Sequence, residues 1–263
     1  MTITLRTENV TKKFGGVIAV NNISIKIKKG SVTAIIGPNG AGKTTLLNLI
    51  SGVLYPDKGK IFFEEKDITK MPPYKRARLG IARTFQNISI IPSLTVLGNV
   101  ISGIIGINMS NNMMKLFDAK QINKEVNSTI YKKAYEILNK VKLSDRALKL
   151  AIELTQAEQR VLDIAIALAT EPRLLLLDEP TSGLAYEDIP HIVNLIKDLK
   201  KTDHMLTIIL VEHKLDVVKD LADKVIVMSE GKILTEGSYN DVINNRDVIE
   251  VYLGEEYVES KKY

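Results

Sequence analysis

Gly37-Pro38-Asn39-Gly40-Ala41-Gly42-Lys43-Thr44-Thr45 is the stretch on which the reading of this chain turns. The run before it, Val32-Thr33-Ala34-Ile35-Ile36, has the length and apolarity of a buried strand, and Leu46-Leu47-Asn48-Leu49-Ile50 after it predicts a helix. Strand, glycine-rich turn and helix together make a phosphate cradle. Gly37, Gly40 and Gly42 let successive amides turn into one hollow, and the helix adds the positive end of its dipole. In this pattern Lys43 reaches the β- and γ-phosphates and the Thr44 hydroxyl holds Mg²⁺, with Thr45 offering a hydroxyl near the α-phosphate.

Composition narrows what can surround such a cradle. The chain has 263 residues, 45% hydrophobic and 25% charged, enough for one large α/β domain with a subdomain. Aromatic residues are 5% and there is no Trp, so stacking platforms for nucleic acid are scarce and no nucleic-acid partner is expected. The net charge of +5 is spread along the chain and reads as a solvated face. Without cysteine there are no disulfides, thiolate metal sites or Cys nucleophile. Met1 to Phe14 carries charges where a signal peptide needs an apolar core. From Gln86 to Met114 no residue is charged, but Pro92, the glycines and many Asn and Ser break the continuous apolar length that spanning requires. That stretch reads as an uncharged docking surface.

Along the chain, Ile3 to Asn9 and Ile23 to Ile27 alternate like strands, and Phe14 between them either lies on an adenine face or packs into the small sheet. Lys60-Ile61-Phe62-Phe63 is a strand, Met71-Pro72-Pro73 opens a helix, and Ile81 to Phe85 leads to Gln86, whose amide carbonyl can reach a Mg²⁺ or a water. Leu94 to about Leu150 is mostly helical, with Tyr131, Tyr135, Leu138 and Val141 predicted on one face. This block interrupts two stretches of α/β pattern and reads as an insertion. Thr155 and Glu158 form a capping box at the start of the helix that follows. Arg173 to Leu177 is a buried strand that ends in Asp178 and Glu179, two adjacent carboxylates that suit Mg²⁺ binding and activation of water. Thr207 to Val211 is a similar strand, followed by Glu212 and by His213 where a γ-phosphate contact is wanted. Val225 to Glu236 reads as an edge hairpin, and the chain after Gly254 as a frayed polar tail.

The ordered set of motifs resembles the nucleotide-binding subunit of an ABC transporter over nearly the whole chain. The resemblance assigns an adenine-stacking aromatic to Phe14, Walker A to Gly37 through Thr45, the glutamine loop to Gln86, and the signature to Leu154 through Gln159. It assigns Walker B to the run ending at Asp178, the catalytic glutamate to Glu179, the D-loop to Ser182 through Ala185, and the switch histidine to His213. The segments KKFGGVIAV, RTFQN, LTVLGNV, VEHKLDVV and DVIEVYLGEE are similar to ATPases of branched-chain amino acid importers, with lipopolysaccharide-export ATPases the nearest competitor.

Three positions depart from the family pattern. The signature LSGGQ reads Leu154-Thr155-Gln156-Ala157-Glu158, the D-loop Asp is Ala185, and an Arg common in the signature helix is Ile166. If the backbone at Ala157 needs a positive φ or a close backbone approach, alanine there costs on the order of 1 kcal/mol. The capping box is expected to turn Glu158 back toward its own helix start. The fold implied is α/β: a P-loop NTPase of ABC type, with a RecA-like core, an antiparallel β subdomain and an inserted helical subdomain. The expected boundaries are 1–85 for the first part of the core with the β subdomain, 86–160 for the helical subdomain, and 161–263 for the rest of the core.

What the resemblance implies is an ATPase using ATP and Mg²⁺, cytoplasmic and peripheral on the inner face of the cell membrane. Its expected partners are integral membrane permease subunits, a second, different ATPase subunit, and indirectly a solute-binding protein. The solute expected is a branched-chain or other hydrophobic amino acid. The alternatives are a non-catalytic regulatory subunit and the ATPase of a lipid exporter.

Overall fold

Val32 to Ile36 is buried at every position, as a strand covered on both faces must be. It belongs to a computed structural model that describes residues 2–84, 88–108 and 124–259. In chain order the strands are β1 (Ile3–Phe14), β2 (Val17–Ile23), β3 (Lys26–Lys28), β4 (Val32–Ile36), β5 (Lys58–Phe63), β6 (Lys66–Asp67), β7 (Ile81–Arg83), β8 (Leu174–Asp178), β9 (Thr207–Val211), β10 (Lys224–Ser229) and β11 (Lys232–Gly237). The helices are α1 (Lys43–Ser51), α2 (Pro73–Arg78), α3 (Val96–Asn108), α4 (Lys124–Lys140), α5 (Gln156–Leu168), α6 (Ile189–Thr202), α7 (Leu215–Leu221), α8 (Tyr239–Ile243) and α9 (Arg246–Glu259).

The main sheet has the order β11-β10-β4-β9-β8-β7 and is parallel except for the β10–β11 hairpin. Because side chains alternate along a strand, the central strands divide their residues between two cores. Ile35, Leu174, Leu176 and Ile209 join a core with α1 and the small sheet. Leu175, Leu177, Ile208 and Leu210 join the other, which continues into α3, α4, α5 and α6. A third cluster packs Ala34, Ile36, Val225 and Val227 under Val242 of α8 and Val248 of α9. The second sheet, β2-β1-β5-β6 with β3 also on β1, is antiparallel throughout. The mixed α/β architecture is the one the motif order implies.

Arg76 fastens the small sheet to the cradle helix. It is fully buried, and burial lowers its pKa to about 10. Its guanidinium donates to the carbonyls of Leu49 and Ile50 at the end of α1, at 2.6 and 2.8 Å, and to those of Met71 and Thr69 at 2.8 and 3.0 Å. A cation on the last carbonyls of a helix meets the negative end of its dipole.

Two sequence expectations are corrected here. On α4 the buried stripe is Ala134, Ile137, Leu138 and Val141, while Tyr131 and Tyr135 face solvent. An i, i+3, i+4, i+7 stripe beginning at Ala134 lets α3 and α5 approach closely, and the tyrosines fall beside it. The chain after Gly254 is also not frayed at once: α9 runs to Glu259, seeded by Val248 and Tyr252 packed on the third cluster.

Candidate functional site

The carboxyl ends of β4, β8 and β9, neighbours in the sheet, carry the cradle, the two carboxylates and His213. Open α/β sheets bind ligands at this end. Two of the cradle glycines are required by the protein's own backbone. A Cβ on Gly37 would lie 2.0 Å from the Met228 carbonyl oxygen, and one on Gly42 would lie 2.1 Å from that of Ala19. Gly40 has open space around it and is needed for its φ of +80°. Gly42 is also the N-cap of α1 and supplies no side-chain acceptor, so the dipole of the helix faces the loop.

Lys43 is only 5% exposed, and its ammonium donates to the carbonyls of Gly37 and Pro38 at 2.6 and 2.8 Å. The lysine therefore already lies along the loop that is to receive phosphate. Pro38 is half-buried, Asn39 exposed and Ala41 buried, while Thr44 is exposed at the mouth and Thr45 half-buried behind it.

Asp178 is buried at the end of β8. Burial raises its pKa, the hydrogen bond and charge of Arg83 lower it, the neighbouring Glu179 raises it, and the Thr44 hydroxyl approaches as a weak further donor. Arg83 Nη2 donates to Oδ2 at 2.8 Å, whereas Oδ1 makes no close hydrogen bond. A buried, half-satisfied carboxylate beside a threonine hydroxyl is a set of hard oxygen donors, which fits Mg²⁺. Among the described residues no three acidic, His or Cys side chains gather to hold a metal by themselves. Such an ion depends on phosphate and water oxygens for the rest of its shell, as Mg²⁺ commonly does.

Glu179 adopts a φ of +50°, uncommon for a residue with a side chain. Its amide donates to the Val211 carbonyl at 2.9 Å, and its Oε1 meets His213 Nε2, also at 2.9 Å. The structure thus unites Lys43, Thr44, Asp178, Glu179 and His213 at one end of the sheet. Phe14 stands outside that cluster at the tip of the β1–β2 hairpin, 48% exposed, with Lys12 Nζ 5.6 Å from the ring centroid. The ring is not packed into the small sheet. Gln86 lies outside the described residues.

Thr155 caps α5, and the reciprocal box with Glu158 is formed: Thr155 Oγ1 accepts from the Glu158 amide at 3.2 Å and Glu158 Oε2 from the Thr155 amide at 2.9 Å. Burial tends to raise the Glu158 pKa, but the Thr155 amide and Arg146, whose Nε donates to Oε1 at 3.1 Å, leave it lowered. Glu158 does turn back toward its helix. Ala157 is helical and buried, with no positive φ, so the condition under which its backbone would be strained is not met. Gln156 is exposed at the first helical position, its Nε2 3.0 Å from where a Cβ of Gly183 would stand. No hydrogen bond among the described residues joins Thr155, Gln156, Ala157 or Glu158 to the cradle of the same chain.

Sequence reading missed Arg83, whose side chain is almost wholly enclosed against Asp178, and the buried Glu212, Arg160 and Asp163. Their only sequence signal is a charged residue inside an apolar pattern, which becomes informative once its partner is known.

The family model described as ABC transporter matches residues 20–182, and the model described as branched-chain amino acid ATP-binding cassette transporter matches residues 232–258. The "Probable branched-chain amino acid transport ATP-binding protein LivG" of Methanocaldococcus jannaschii is 39% identical over 95% of this chain and 97% of its own length. The "High-affinity branched-chain amino acid transport ATP-binding protein BraF" of Pseudomonas aeruginosa is 34% identical over 95% of this chain and 98% of its own. A crystal structure of the ADP conformation of an ATP-binding cassette of an ABC transporter superposes with a TM-score of 0.83 at 37% identity, over 97% of this chain and 100% of that one. With the cradle, paired carboxylates and histidine assembled as described, and likeness along almost its full length, the chain belongs to the ATP-hydrolysing subunits of ABC transporters, in the group of the branched-chain amino acid ATP-binding cassettes.

Proposed function

We propose that this subunit binds Mg-ATP at Gly37 through Thr45 and uses hydrolysis to drive a permease that imports branched-chain or other hydrophobic amino acids. The observation that carries the chemistry is the 2.9 Å contact of His213 with Glu179, one residue beyond the buried Asp178. Lys43 exchanges the Gly37 and Pro38 carbonyls for β- and γ-phosphate oxygens, while Thr44 and Asp178, with Gln86, hold the metal. Mg²⁺, when bound, neutralises charge on the phosphate oxygens. Glu179 orients the attacking water and accepts its proton, and His213 fixes the Glu179 carboxylate and faces the γ-phosphate. Phe14, exposed on its hairpin, stacks on the adenine. The names of the relatives favour the importer reading over a lipid exporter.

Docking to the permease is supported by a surface that pairs the uncharged segment with residues distant in sequence. The Ala151 amide donates to Leu94 at 2.9 Å and that of Ile152 to Pro92 at 3.2 Å, which gathers the exposed Ile91, Leu94, Leu148, Leu150 and Ile152. Val96 is wholly buried and supports this surface from below. No helix among the described residues is long and apolar enough to cross a membrane. The subunit sits on the inner membrane face through that docking surface, with a solute-binding protein delivering to the permease from outside.

The second ATPase subunit is a different chain. A composite site takes its cradle from one subunit and its signature from the other, so Gln156, longer than the family's glycine, crowds only the site whose cradle belongs to the partner. The site on Lys43, Glu179 and His213 borrows the partner's signature. Lys43→Ala is expected to abolish ATPase activity of the assembled transporter, and the equivalent lysine change in the partner to reduce it much less. Equal losses, or brisk ATPase activity from this chain as a homodimer, overturn the asymmetry.

A further inference from the structure

The turn after β8 and the turn after β9 share one buried carboxylate. Glu212 is 2% exposed, and its Oε1 accepts from the Thr181 amide at 3.0 Å and from the Thr181 hydroxyl at 2.6 Å. Its Oε2 accepts from the amides of His213 and Lys214 at 3.1 and 3.5 Å. Lys214 closes the arrangement by donating from Nζ to the Thr181 carbonyl at 3.0 Å. Glu179 is mounted on the first turn, which is tied by Ser182 N to its own carbonyl at 3.0 Å, and His213 on the second. Beyond the end of the β8–β9 ladder, the Glu179 amide to the Val211 carbonyl is the other backbone link between these turns among the described residues.

A buried carboxylate is costly unless donors surround it, and here every donor comes from one of the two turns that must stay in register. An apolar residue at 212 would leave the Thr181, His213 and Lys214 amides unpaired, and a glutamine would turn its NH₂ group toward a backbone N–H on one side or the other. Neither reproduces a four-donor acceptor.

We propose that Glu212 is a positioning residue for ATP hydrolysis: it sets the separation of the Glu179 and His213 backbones so that their side chains meet at 2.9 Å. Buried and enclosed by these donors, Glu212 acts through the two turns it joins. The inference rests on the reading that Glu179 and His213 serve hydrolysis.

The test uses the transporter assembled with its permease and measures kcat, KM for ATP and the thermal unfolding midpoint for Glu212→Gln, His213→Ala and the double variant. Glu212→Gln is expected to lower kcat by about tenfold or more and leave KM within about twofold, and in the His213→Ala background it is expected to cause little further loss. Full kcat in Glu212→Gln, or losses that multiply in the double variant, overturn the proposal. Should Glu212→Gln fail to fold, Thr181→Val removes one donor, keeps the amide, and is expected to lower kcat at constant KM. Full activity in that variant is equally fatal. His213→Ala retaining full activity counts against the reading of the site, whereas a His213→Ala loss beside full kcat in Glu212→Gln counts against the positioning role alone.

Discussion

Arg83 Nη2 stands 2.8 Å from Asp178 Oδ2, an ion pair across the adjacent strands β7 and β8 with both side chains almost wholly buried. The same guanidinium donates from Nη1 to Asn48 Oδ1 at 2.6 Å and to Ser51 Oγ at 3.0 Å, so the strand, the cradle helix and the Asp178 carboxylate are locked together. Burial pushes the Asp178 pKa up and Arg83 opposes that rise. Arg83→Met is therefore expected to let Asp178 keep its proton to higher pH. The acid limb of the kcat–pH profile should move to higher pH. Removing one partner of a buried pair also costs about 3 to 5 kcal/mol of stability, readable by urea unfolding. A profile that does not move removes Arg83 from control of Asp178.

Glu179→Gln keeps the shape of the side chain and its contact with His213 but cannot accept a proton from water. ATP binding should persist while turnover of the assembled complex falls by about 10² or more. Hydrolysis at the original rate would remove Glu179 from the mechanism.

Asp163 makes stability depend on pH. It lies on α5, 4% exposed, its Oδ1 accepting from the Ser89 amide at 3.2 Å, and burial raises its pKa from 3.8 to about 6 against the pull of that amide and of Arg160. The folded chain therefore holds a proton that the unfolded chain has released between these values. This contribution is complete below the unfolded value and is lost as pH rises through about 6. A shift of that size corresponds to roughly 3 kcal/mol. Asp163→Asn, which retains a carbonyl for Ser89, should be more stable than the parent at pH ~8 by about 1 to 3 kcal/mol and equal to it in acid. Urea titrations across that range check it, and a difference independent of pH would exclude Asp163 as the source.

Leu94 and Ile152 are exposed, so a charge on either leaves the core intact. Leu94→Asp and Ile152→Asp should prevent co-purification of the permease while changing ATP affinity of the isolated subunit by less than about twofold. Complexes that assemble normally would move the docking site elsewhere.

The parts of the site legible in the sequence are those whose chemistry is local. The cradle is a continuous strand, turn and helix, and Asp178 with Glu179 end an apolar run that only a buried strand explains. The cap at Thr155 and Glu158 is likewise a four-residue event, so its geometry could be read before the fold was known. The stripe on α4 was less legible, because the tyrosines and Ala134 satisfy helical spacing on neighbouring faces and only the closeness of α3 and α5 selects alanine.

By itself, then, the sequence determined the strand and helix that frame the cradle, the cradle and the acids beside it, because hydrogen bonding and hydrophobic period act over a few residues. Tertiary structure alone decided the partners of the buried charges. Arg83 finds Asp178 across 95 positions, Glu212 finds Thr181 across 31, and Ser89 finds Asp163 across 74. It also required glycine at 37 and 42, through carbonyls of Met228 and Ala19 that no local pattern brings near. A buried charge must be paired wherever the fold sets it down, and which residue answers it depends on the packing of strands and helices far apart in the chain.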